Sequence, residues 1–304
     1  MKLRAFSIAA AIVCAAPAAK AATSPFALPF ERIPVGARAA GLGGAFSAMA
    51  DDGTAVYWNP AGLSRGDMGI YGSTFAASYA ALSWGRRVSH VALSHQFEGM
   101  GVFAVALTHA TVGDVPLVDS EGVQKGLLGD SQDAVFLNAS NRPKPNLAVG
   151  GTVKLFSERL GAYRAGGAAL DFGLHWQPWL ERPYFVGFVA QDLGGHLSWN
   201  TRALDFGAAT IRLGQMYEFA PGRLRAAVDV EGQAAAGGSF NARTGAEGKV
   251  YPGIWLRAGA ELLRQSISAG VSFEVREYSI DYAVTQALSE AGQLEHRVAL
   301  TGKF

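Results

Sequence analysis

Residues 266–276 read Ser-Ile-Ser-Ala-Gly-Val-Ser-Phe-Glu-Val-Arg, so that apolar side chains alternate with polar or small ones. Successive side chains of a β-strand point to opposite faces, and this period of two therefore predicts a strand with one apolar face and one polar face. The same alternation occurs at residues 168–176, 224–231, 254–262 and 278–285. The chain is predicted to be all-β from about residue 68 onward.

Segment length separates two architectures that share this alternation. A soluble sandwich buries its apolar face, whereas a membrane barrel turns that face toward lipid and keeps polar side chains in the lumen. The alternating segments span about 9 to 12 residues, as a tilted membrane strand requires, while sandwich strands average about 5 or 6. Aromatic residues lie toward the segment ends, as in the interfacial girdles of a barrel. The sequence therefore favours a transmembrane antiparallel β-barrel.

About fourteen strands are predicted, an even number as in bacterial single-chain barrels. The predicted segments are 68–75, 89–97, 100–110, 132–140, 146–157, 165–177, 183–193, 206–218, 223–233, 239–250, 252–262, 266–275, 277–285 and 294–304. The stretch 79–87 extends this set or adds to it. Two stretches rich in Gly, Asp and Ser, 111–131 and 194–205, are predicted to be the longer loops.

The assigned faces can be tested with two neighbouring residues. Val271 lies on the face predicted to meet lipid, and Ser272 lies on the face predicted to line the lumen. An arginine that faces lipid costs about 2 to 4 kcal/mol at the bilayer midplane. We therefore expect Val271→Arg to impair assembly and Ser272→Arg to be tolerated.

The first 21 residues have the features of a secretory signal peptide. Lys2 and Arg4 give a positive start, an apolar run follows at 5–16, and Ala-Lys-Ala at 19–21 is a cleavage site of the Ala-x-Ala type. The single cysteine, Cys14, lies in this segment, so we expect no disulfide and no cysteine-based metal site in the exported chain. Export to the outer membrane of a Gram-negative bacterium is expected.

Charge balance and motif content argue against several function classes. Lys and Arg number 26 against 25 acidic residues, which gives no basic surplus for a nucleic-acid partner. The six histidines are scattered and fit no zinc spacing. The sequence has no Gly-x-Ser-x-Gly elbow and no phosphate-binding glycine loop. We therefore expect no enzyme, no cofactor, no metal site and no nucleic acid.

Residues 22–66 do not alternate and are predicted to plug the barrel. About fourteen strands enclose a lumen that is too wide for wall side chains to fill, since roughly eight strands is the filled size. A compact segment rich in glycine and alanine suits the remaining space. The predicted division is a signal peptide at 1–21, an N-terminal hatch at 22–66 and the transmembrane barrel at 67–304.

Several motifs carry a resemblance to a known family. They are Gly-Ala-Arg-Ala-Ala-Gly-Leu-Gly-Gly-Ala at 36–45, Asp-Asp at 51–52, Tyr-Trp-Asn-Pro-Ala-Gly-Leu at 57–63, Gly-Gly-Thr-Val-Lys at 150–154, Ala-Leu-Asp-Phe-Gly at 169–173 and Gly-Phe-Val-Ala-Gln-Asp-Leu-Gly at 187–194. The first three resemble the hatch signature of the FadL-like outer-membrane proteins, and the whole set is closest to their PorV/PorQ branch. The resemblance implies a fourteen-stranded barrel with an internal hatch.

The resemblance implies two functions, which the residues do not separate. One is passive transport of a hydrophobic small molecule across the outer membrane, with the hatch as the gate. The alternative is a PorV-type protein-secretion component that binds or shuttles exported cargo. The expected partners are outer-membrane lipid, the barrel assembly machinery, and a hydrophobic ligand or a secreted protein.

The candidate site residues form three sets. The first set either contacts a ligand or holds the hatch in place, and it consists of Phe46, Asp51, Asp52, Tyr57, Trp58, Asn59 and Pro60. The second set is polar and faces the lumen, where we expect salt-bridged ladders that brace the wall: Lys154, Asp171, Asp229, Glu231, Arg257 and Glu261. The third is the final Phe304, which follows an alternating strand and is expected to be the signal read by the assembly machinery.

Overall fold

The computed structural model describes residues 33–66, 68–70, 72–234, 238–262, 264–288 and 294–304. The predicted signal peptide and residues 22–32 of the predicted hatch lie outside the described residues. In the part of the chain that is described, no helix is long and apolar enough to cross a membrane.

The described chain consists mainly of fifteen β-strands. Their bounds are β1 Ser73–Ala81, β2 Arg86–Phe97, β3 Gly101–Val118, β4 Gln124–Lys144, β5 Leu147–Leu160, β6 Tyr163–Trp176, β7 Tyr184–Trp199, β8 Leu204–Phe206, β9 Ala209–Ala220, β10 Leu224–Ala234, β11 Phe240–Tyr251, β12 Ile254–Glu261, β13 Ser266–Val275, β14 Tyr278–Ala287 and β15 Leu294–Lys303. Before β1 lie two short helices, α1 (Ala37–Gly41) and α2 (Ala55–Trp58), and a 3-10 turn at Gly62–Ser64.

Fourteen of these strands form a closed antiparallel barrel. Each pairs with its neighbours along the chain, except that β7 pairs with β9, and β1 pairs with β15 to close the sheet. The short β8 pairs with the far end of β7. Closure pairs the backbone of every barrel strand on both sides, which is the condition for a sheet to span lipid. The predicted fold class and strand number are confirmed.

The barrel wall is apolar outside and polar inside. On β13, Ile267 and Phe273 are 51% and 50% exposed, whereas Ser266, Ser268 and Ser272 are buried. A soluble sandwich shows the opposite arrangement, with its large apolar side chains buried. An outer face of exposed Leu, Val, Ile and Phe side chains suits lipid. The architecture therefore fits an outer-membrane location.

Both predicted long loops are wrong. β3 and β4 run through most of the stretch 111–131 and are joined by a turn at 119–123. Asp119 makes that turn, because its carboxylate accepts hydrogen bonds from the backbone N–H groups of Glu121 and Val123 at 3.0 and 2.9 Å. Likewise, β7 continues to residue 199 across the other predicted loop. Gly, Asp and Ser suggested loops there, yet they are tolerated in strands whose faces are partly solvated.

The first predicted strand is displaced along the chain. It was expected at 68–75, but β1 begins at Ser73 and ends at Ala81. The ambiguous stretch 79–87 is divided between the end of β1, a 3-10 turn at Ser83–Gly85 and the start of β2. The glycine at position 85 has φ 69°, a conformation that strands do not adopt. It lies in the turn that separates the end of β1 from the start of β2.

The hairpin of β3 and β4 projects past its neighbours. The pairing of β2 with β3 stops at Arg86 with Val112, and the pairing of β4 with β5 stops at Asp130 with Leu160. Beyond these points β3 and β4 pair with each other alone among the described strands. Six residues of strand extend about 20 Å. The projecting part exposes aliphatic side chains, such as Leu127 at 59%.

The two ends of the barrel differ in their connections. At the end that holds Phe304, which we call the C-terminal end, most turns are short, as at 98–100, 145–146 and 252–253, with one longer connection at 177–183. At the opposite end, which we call the loop end, connections such as 119–123, 235–239 and 288–293 are longer. Bacterial outer-membrane barrels have short periplasmic turns and longer extracellular loops.

Residues 33–66, which we call the hatch segment, lie inside the barrel. α1 contacts strands β12 to β15, while the 3-10 turn at 62–64 contacts β3 to β6 on the other side of the lumen. Phe46, Met49 and Val56 are fully buried. The segment therefore spans the lumen from wall to wall. The predicted division of the chain at residues 21 and 66 stays a prediction.

One part of the expectation for β13 changes. Val271 lies on the outer face, but Ser272 on the inner face is fully buried, and its hydroxyl contacts both Arg257 and Asp281. An arginine at position 272 would bring two guanidinium groups together in a buried site. Ser272→Arg is thus expected to be damaging, and it cannot serve as the tolerated control.

We predict that Val271→Arg lowers the amount of folded barrel in the outer membrane. The cost of facing a guanidinium to lipid is about 2 to 4 kcal/mol at the midplane. The measurement is heat-modifiable migration on a gel, which separates the compact barrel from the unfolded chain. Val271→Ile keeps an apolar side chain and is the matched control. Equal folded amounts of the two variants would contradict the assignment of the outer face.

Candidate functional site

A chain of buried ion pairs lies on the inner face of the wall. Glu231 binds Arg212 and Arg243 at 2.6 and 2.7 Å, and Arg243 also binds Glu261 at 3.1 Å. Asn241 donates a further hydrogen bond to Glu261 at 2.7 Å. Removing a single member of such a buried chain leaves an uncompensated charge, which costs about 3 to 5 kcal/mol. Two of the predicted luminal residues, Glu231 and Glu261, therefore brace strands β9 to β12.

A second group of ion pairs joins the wall to the hatch segment. Glu247 of β11 binds Arg257 of β12 at 2.7 Å and Arg38 of α1 at 3.0 Å. Arg38 also binds Asp51 and lies 3.1 Å from Asp52. The guanidinium of Arg38 thus connects the two aspartates of the hatch segment to a wall glutamate. Arg38 was not among the predicted site residues.

The charge of Asp51 is held by three arginines. Burial alone would raise the pKa of Asp51, but the guanidinium groups of Arg38, Arg225 and Arg65 outweigh it and hold this pKa well below its ordinary value. The carboxylate is therefore ionised at every physiological pH. Its attraction to Arg225 of β10, at 3.5 Å, adds another link between the hatch segment and the wall.

Short polar side chains fix the turns within the hatch segment. The backbone N–H and hydroxyl of Thr54 donate to Asp52 at 2.9 and 2.6 Å, just before α2 begins. The amide of Asn59, just after α2, donates to the carbonyl of Ser47 at 2.7 Å and to the carbonyl of Leu174 in β6 at 3.2 Å. These contacts are the turn and cap chemistry of Asp and Asn. Both residues hold the fold of the hatch segment.

Asp229 of β10 anchors the middle of the hatch segment. Its Oδ2 accepts hydrogen bonds from the backbone N–H groups of Phe46 and Ser47 at 3.1 and 2.9 Å, and from the hydroxyl of Ser47. Asp229 is fully buried. Buried backbone N–H groups need such acceptors. One wall carboxylate therefore satisfies two hatch N–H groups that would otherwise be buried without a partner.

Three cross-strand pairs of glycines bring the wall against the hatch backbone. They are Gly150 with Gly173, Gly187 with Gly214, and Gly245 with Gly259. A Cβ atom on Gly150 would lie 2.3 Å from the carbonyl oxygen of Pro60, and one on Gly259 would lie 2.2 Å from the backbone nitrogen of Gly43. Real Cβ atoms do not approach backbone so closely, and a side chain at either place would therefore displace the hatch segment.

Polar wall side chains bind hatch carbonyls on the opposite side of the lumen. Asn138 of β4 donates to the carbonyl of Pro60 at 3.3 Å, and Gln191 of β7 donates to the carbonyl of Tyr57 at 2.6 Å. His175 of β6 lies 2.9 Å from the carbonyl of Ala48. Buried carbonyl groups need such partners. These three wall residues were missed from the sequence.

Two of the predicted luminal residues, Lys154 and Asp171, form an ion pair that also includes Asp192. Lys154 binds Asp171 at 3.0 Å and Asp192 at 2.9 Å, and Asp192 donates its backbone N–H to Asp171 at 2.9 Å. Asp192 has φ 58° and lies where the pairing of β6 with β7 shifts register. A β-bulge of this kind re-aims a side chain. Here it turns Asp192 toward the lysine.

The other half of the lumen carries an apolar cluster. Inner-face residues of β1 to β7 pack with the hatch segment into one cluster, which includes Ala80, Val88, Ala106, Ala110, Ala134, Phe136, Phe156, Ala165, Ala169 and Leu197. Ile33 and Trp199 pack against the same cluster. We call the inner wall at β1 to β7 the apolar half because of this cluster, although it also carries polar groups such as Lys154, Asp171 and Gln191, and we call the inner wall at β9 to β15 the ionic half. Neither the cluster nor the division was expected from the sequence.

The predicted aromatic residues of the hatch segment lie between these halves. The ring of Trp58 is 5.8 Å from that of Phe46 and 5.2 Å from that of Tyr57, and Tyr57 is 6.5 Å from Phe136 in the apolar half. On its other side, Arg212 of the ionic half lies over Trp58 at 5.4 Å. Edge-to-face pairs add about 0.5 to 1.5 kcal/mol each. The aromatic cluster therefore closes the centre of the lumen.

Phe304 packs on the outer face, where β15 meets β1. Its ring lies 5.7 Å from Phe75 and 6.4 Å from Tyr278. Its backbone N–H donates to the carbonyl of Ser73 at 2.8 Å. The residue thus completes the closing seam of the barrel. Its role as an assembly signal stays a prediction.

Within the described ranges, no group of three or more His, Cys, Asp or Glu side chains is arranged to hold a metal ion. The arrangement of the lumen consists of ion pairs, hydrogen bonds to backbone and apolar packing. Each predicted hatch residue makes contacts that hold the segment in place. The seven are brought together along one path across the lumen, from the ionic half through the aromatic cluster to the wall of β4 to β7.

Solved structures share this fold. The toluene transporter TodX of Pseudomonas putida matches with a TM-score of 0.68 and 14% identity, over 89% of this chain and 98% of that one. The toluene transporter TbuX of Ralstonia pickettii gives 0.64 and 15%, over 89% and 98%. A FadL homologue of Pseudomonas aeruginosa gives 0.63 and 13%, over 90% and 99%. The likeness to the FadL type is one of fold, and the PorV/PorQ branch is not confirmed.

Comparison of the sequence with protein-family models finds no match. A search of curated proteins finds no significant match either.

We predict that Gly259→Ala loosens the hatch segment. The new Cβ would lie 2.1 Å from the carbonyl carbon of Leu42, so the hatch backbone has to move. Overpacking of this kind costs about 1 to 3 kcal/mol. The measurement is protease cleavage within residues 33–66 of the folded barrel, which we expect to be faster in the variant. Gly232→Ala is the control, since a Cβ there meets nothing within 4 Å. Equal cleavage rates would contradict the close contact.

Proposed function

We propose that this protein carries hydrophobic small molecules passively across the outer membrane. The apolar half of the lumen is the observation that carries the proposal. A pore for water or ions needs a polar lining, and an apolar strip through the lumen would obstruct it. Here the inner face of β3 runs from Val102 near the C-terminal end to Ala110 near the loop end, and Thr108 is the one polar residue on it between them. Such a strip is a favourable path for an apolar solute.

The route that we propose runs along this apolar half, beside the hatch segment. Phe136 is fully buried and its ring lies 6.5 Å from Tyr57, so passage requires these two side chains to separate. The opposite side of the hatch segment is fixed by Asp229 and by the ion pairs of Arg38. The apolar side is held instead by apolar contacts and by hydrogen bonds to hatch carbonyls from Asn138, His175 and Gln191, and we propose that this is the side that opens. We propose that a ligand contacts Phe46, Tyr57 or Trp58 during its passage.

The structural neighbours support this reading. Two of those reported above are described as toluene transporters, and another similar structure is described as a monoaromatic hydrocarbon channel, with a TM-score of 0.64 at 15% identity. None of these three is described as an enzyme or as a secretion component. We extend hydrophobic transport, without an enzymatic step, to this chain as a proposal. The secretion alternative has no comparable observation in its favour.

Native mass spectrometry of the protein, extracted gently from its own outer membrane, tests the proposal directly. A recurrent bound hydrophobic small molecule is the expected result, and its mass would identify the ligand class. A recurrent bound polypeptide without such a ligand would favour the secretion alternative instead.

We predict that Phe156→Gln slows the uptake of an apolar probe such as toluene by cells that carry the protein in their outer membrane. Phe156 lies on the inner face of β5 and is 5% exposed. A polar amide in the apolar cluster costs about 1 to 3 kcal/mol, which corresponds to a roughly 5- to 150-fold slower flux. Phe156→Leu keeps the path apolar and is the matched control. Equal flux through both variants, or faster flux of glycerol than of toluene through the natural protein, would contradict the proposed route.

A further inference from the structure

Three exposed arginines share one row on the outer face of the barrel, near the loop end. The row crosses five strands in register: Arg87 pairs with Thr111, Thr111 with Ser131, Ser131 with Arg159, and Arg159 with Arg164. All five side chains lie on the face that points away from the lumen. Arg87, Arg159 and Arg164 are exposed, and the two hydroxyl residues between them are half-buried. The row contains no acidic residue.

The row lies just above the apolar belt of the barrel. Four residues nearer the C-terminal end along the same strands, the paired row is Val91, Leu107, Val135, Leu155 and Ala168. Between the two rows lies a mixed one of Ser89, His109, Asp133, Ser157 and Gly166, in which His109 and Asp133 bind each other at 2.7 Å. The order from apolar through mixed polar to cationic follows the order from acyl chains to headgroups.

The pairing of Arg159 with Arg164 is unfavourable by itself. Residues directly opposite each other on antiparallel strands have Cβ atoms about 4.5 to 5.5 Å apart, and like charges there destabilise the sheet. Among the described residues, neither guanidinium forms an ion pair with a carboxylate, and neither does that of Arg87. An anion between the two arginines would turn this repulsion into attraction. Phosphate suits the place, because guanidinium groups bind it in a bidentate manner.

From the charge of this row and its continuity with the apolar belt, we infer that it binds the phosphate groups of an outer-leaflet lipid. Arg159 and Arg164 together hold one phosphate. Arg87 is three strand spacings away, about 14 Å, and reaches a second phosphate, with Thr111 and Ser131 supplying hydroxyl donors between them. The lipid's acyl chains lie against the apolar row of Val91, Leu107 and Leu155. The loop end is the end whose longer connections face the cell exterior, so the lipid is one of the outer leaflet.

The test is native mass spectrometry of the full chain, freed of lipid in a non-ionic detergent and titrated with bisphosphorylated lipid A. Each arginine near a lipid surface contributes roughly a fivefold gain in binding. The double variant Arg159→Gln, Arg164→Gln is therefore expected to bind this lipid at least tenfold more weakly than the natural protein. Arg223→Gln, at an exposed turn of the C-terminal end, is expected to bind as the natural protein does.

Further measurements separate the contribution of side-chain charge from that of the phosphate groups and from that of the rest of the lipid. The double variant Arg159→Lys, Arg164→Lys keeps both charges and is expected to retain most of the binding. Lipid A without its phosphates is expected to bind weakly to every variant, and free pyrophosphate is expected not to displace the lipid. Heat-modifiable migration confirms that each variant is folded. Equal lipid binding by the Gln and natural proteins would overturn the inference, as would equal binding of the dephosphorylated lipid or full displacement by pyrophosphate.

Discussion

The lumen of a fourteen-stranded barrel has to be filled by something other than wall side chains, and the rest of the structure follows from this constraint. The hatch segment fills this lumen, and its backbone brings buried N–H and C=O groups that need partners. The wall supplies them through Asp229, Asn138 and Gln191. The wall has glycine pairs, which carry no side chains, at the places where the hatch backbone passes. Wall and hatch segment are therefore one packing unit, although they are distant in the chain.

The two halves of the lumen hold the hatch segment by different physical means. Ion pairs are directional and lose much of their energy once their partners separate, whereas apolar contacts tolerate sliding. Arg38 shows the first kind, because one guanidinium binds two adjacent carboxylates of the hatch segment and one carboxylate of the wall. The ring contact of Tyr57 with Phe136 is an apolar contact of the second kind. A plug that ion pairs fix on one side, and that hydrogen bonds and apolar contacts hold on the other, can shift on the second side without leaving the barrel.

The alternation of residues such as 266–276 was sufficient to predict the barrel, the faces of its strands and the strand number. The bounds of β3, β4 and β7 were not predictable in the same way, because Gly, Asp and Ser mark loops and solvated strands alike. The predicted hatch residues and Asp229 lie at wall-to-hatch contacts, whereas the other predicted luminal residues form ion pairs with neighbouring wall residues. Arg38, Gln191 and Asp192 were missed because their partners are set by register and by a bulge, neither of which a linear pattern encodes.

The glycine pairs had a visible signal in the sequence. Gly150, Gly173 and Gly187 lie in the motifs at 150–154, 169–173 and 187–194 that resemble the known family. Each interrupts an apolar or polar face with a residue that weakens a strand. A glycine in a strand often marks a site where another backbone approaches closely, and that is the case here.

The projecting hairpin of β3 and β4 is decoupled from this packing unit. Its tip is held by its own cross-strand pairs and by the turn at Asp119, and it lies beyond the last pairs that β3 makes with β2 and β4 makes with β5. Sequence inserted at the tip would not disturb the register of any barrel strand. The hairpin is therefore a natural place for new surface properties to arise by insertion, and the same geometry makes it a scaffold for displaying foreign peptides at the cell surface.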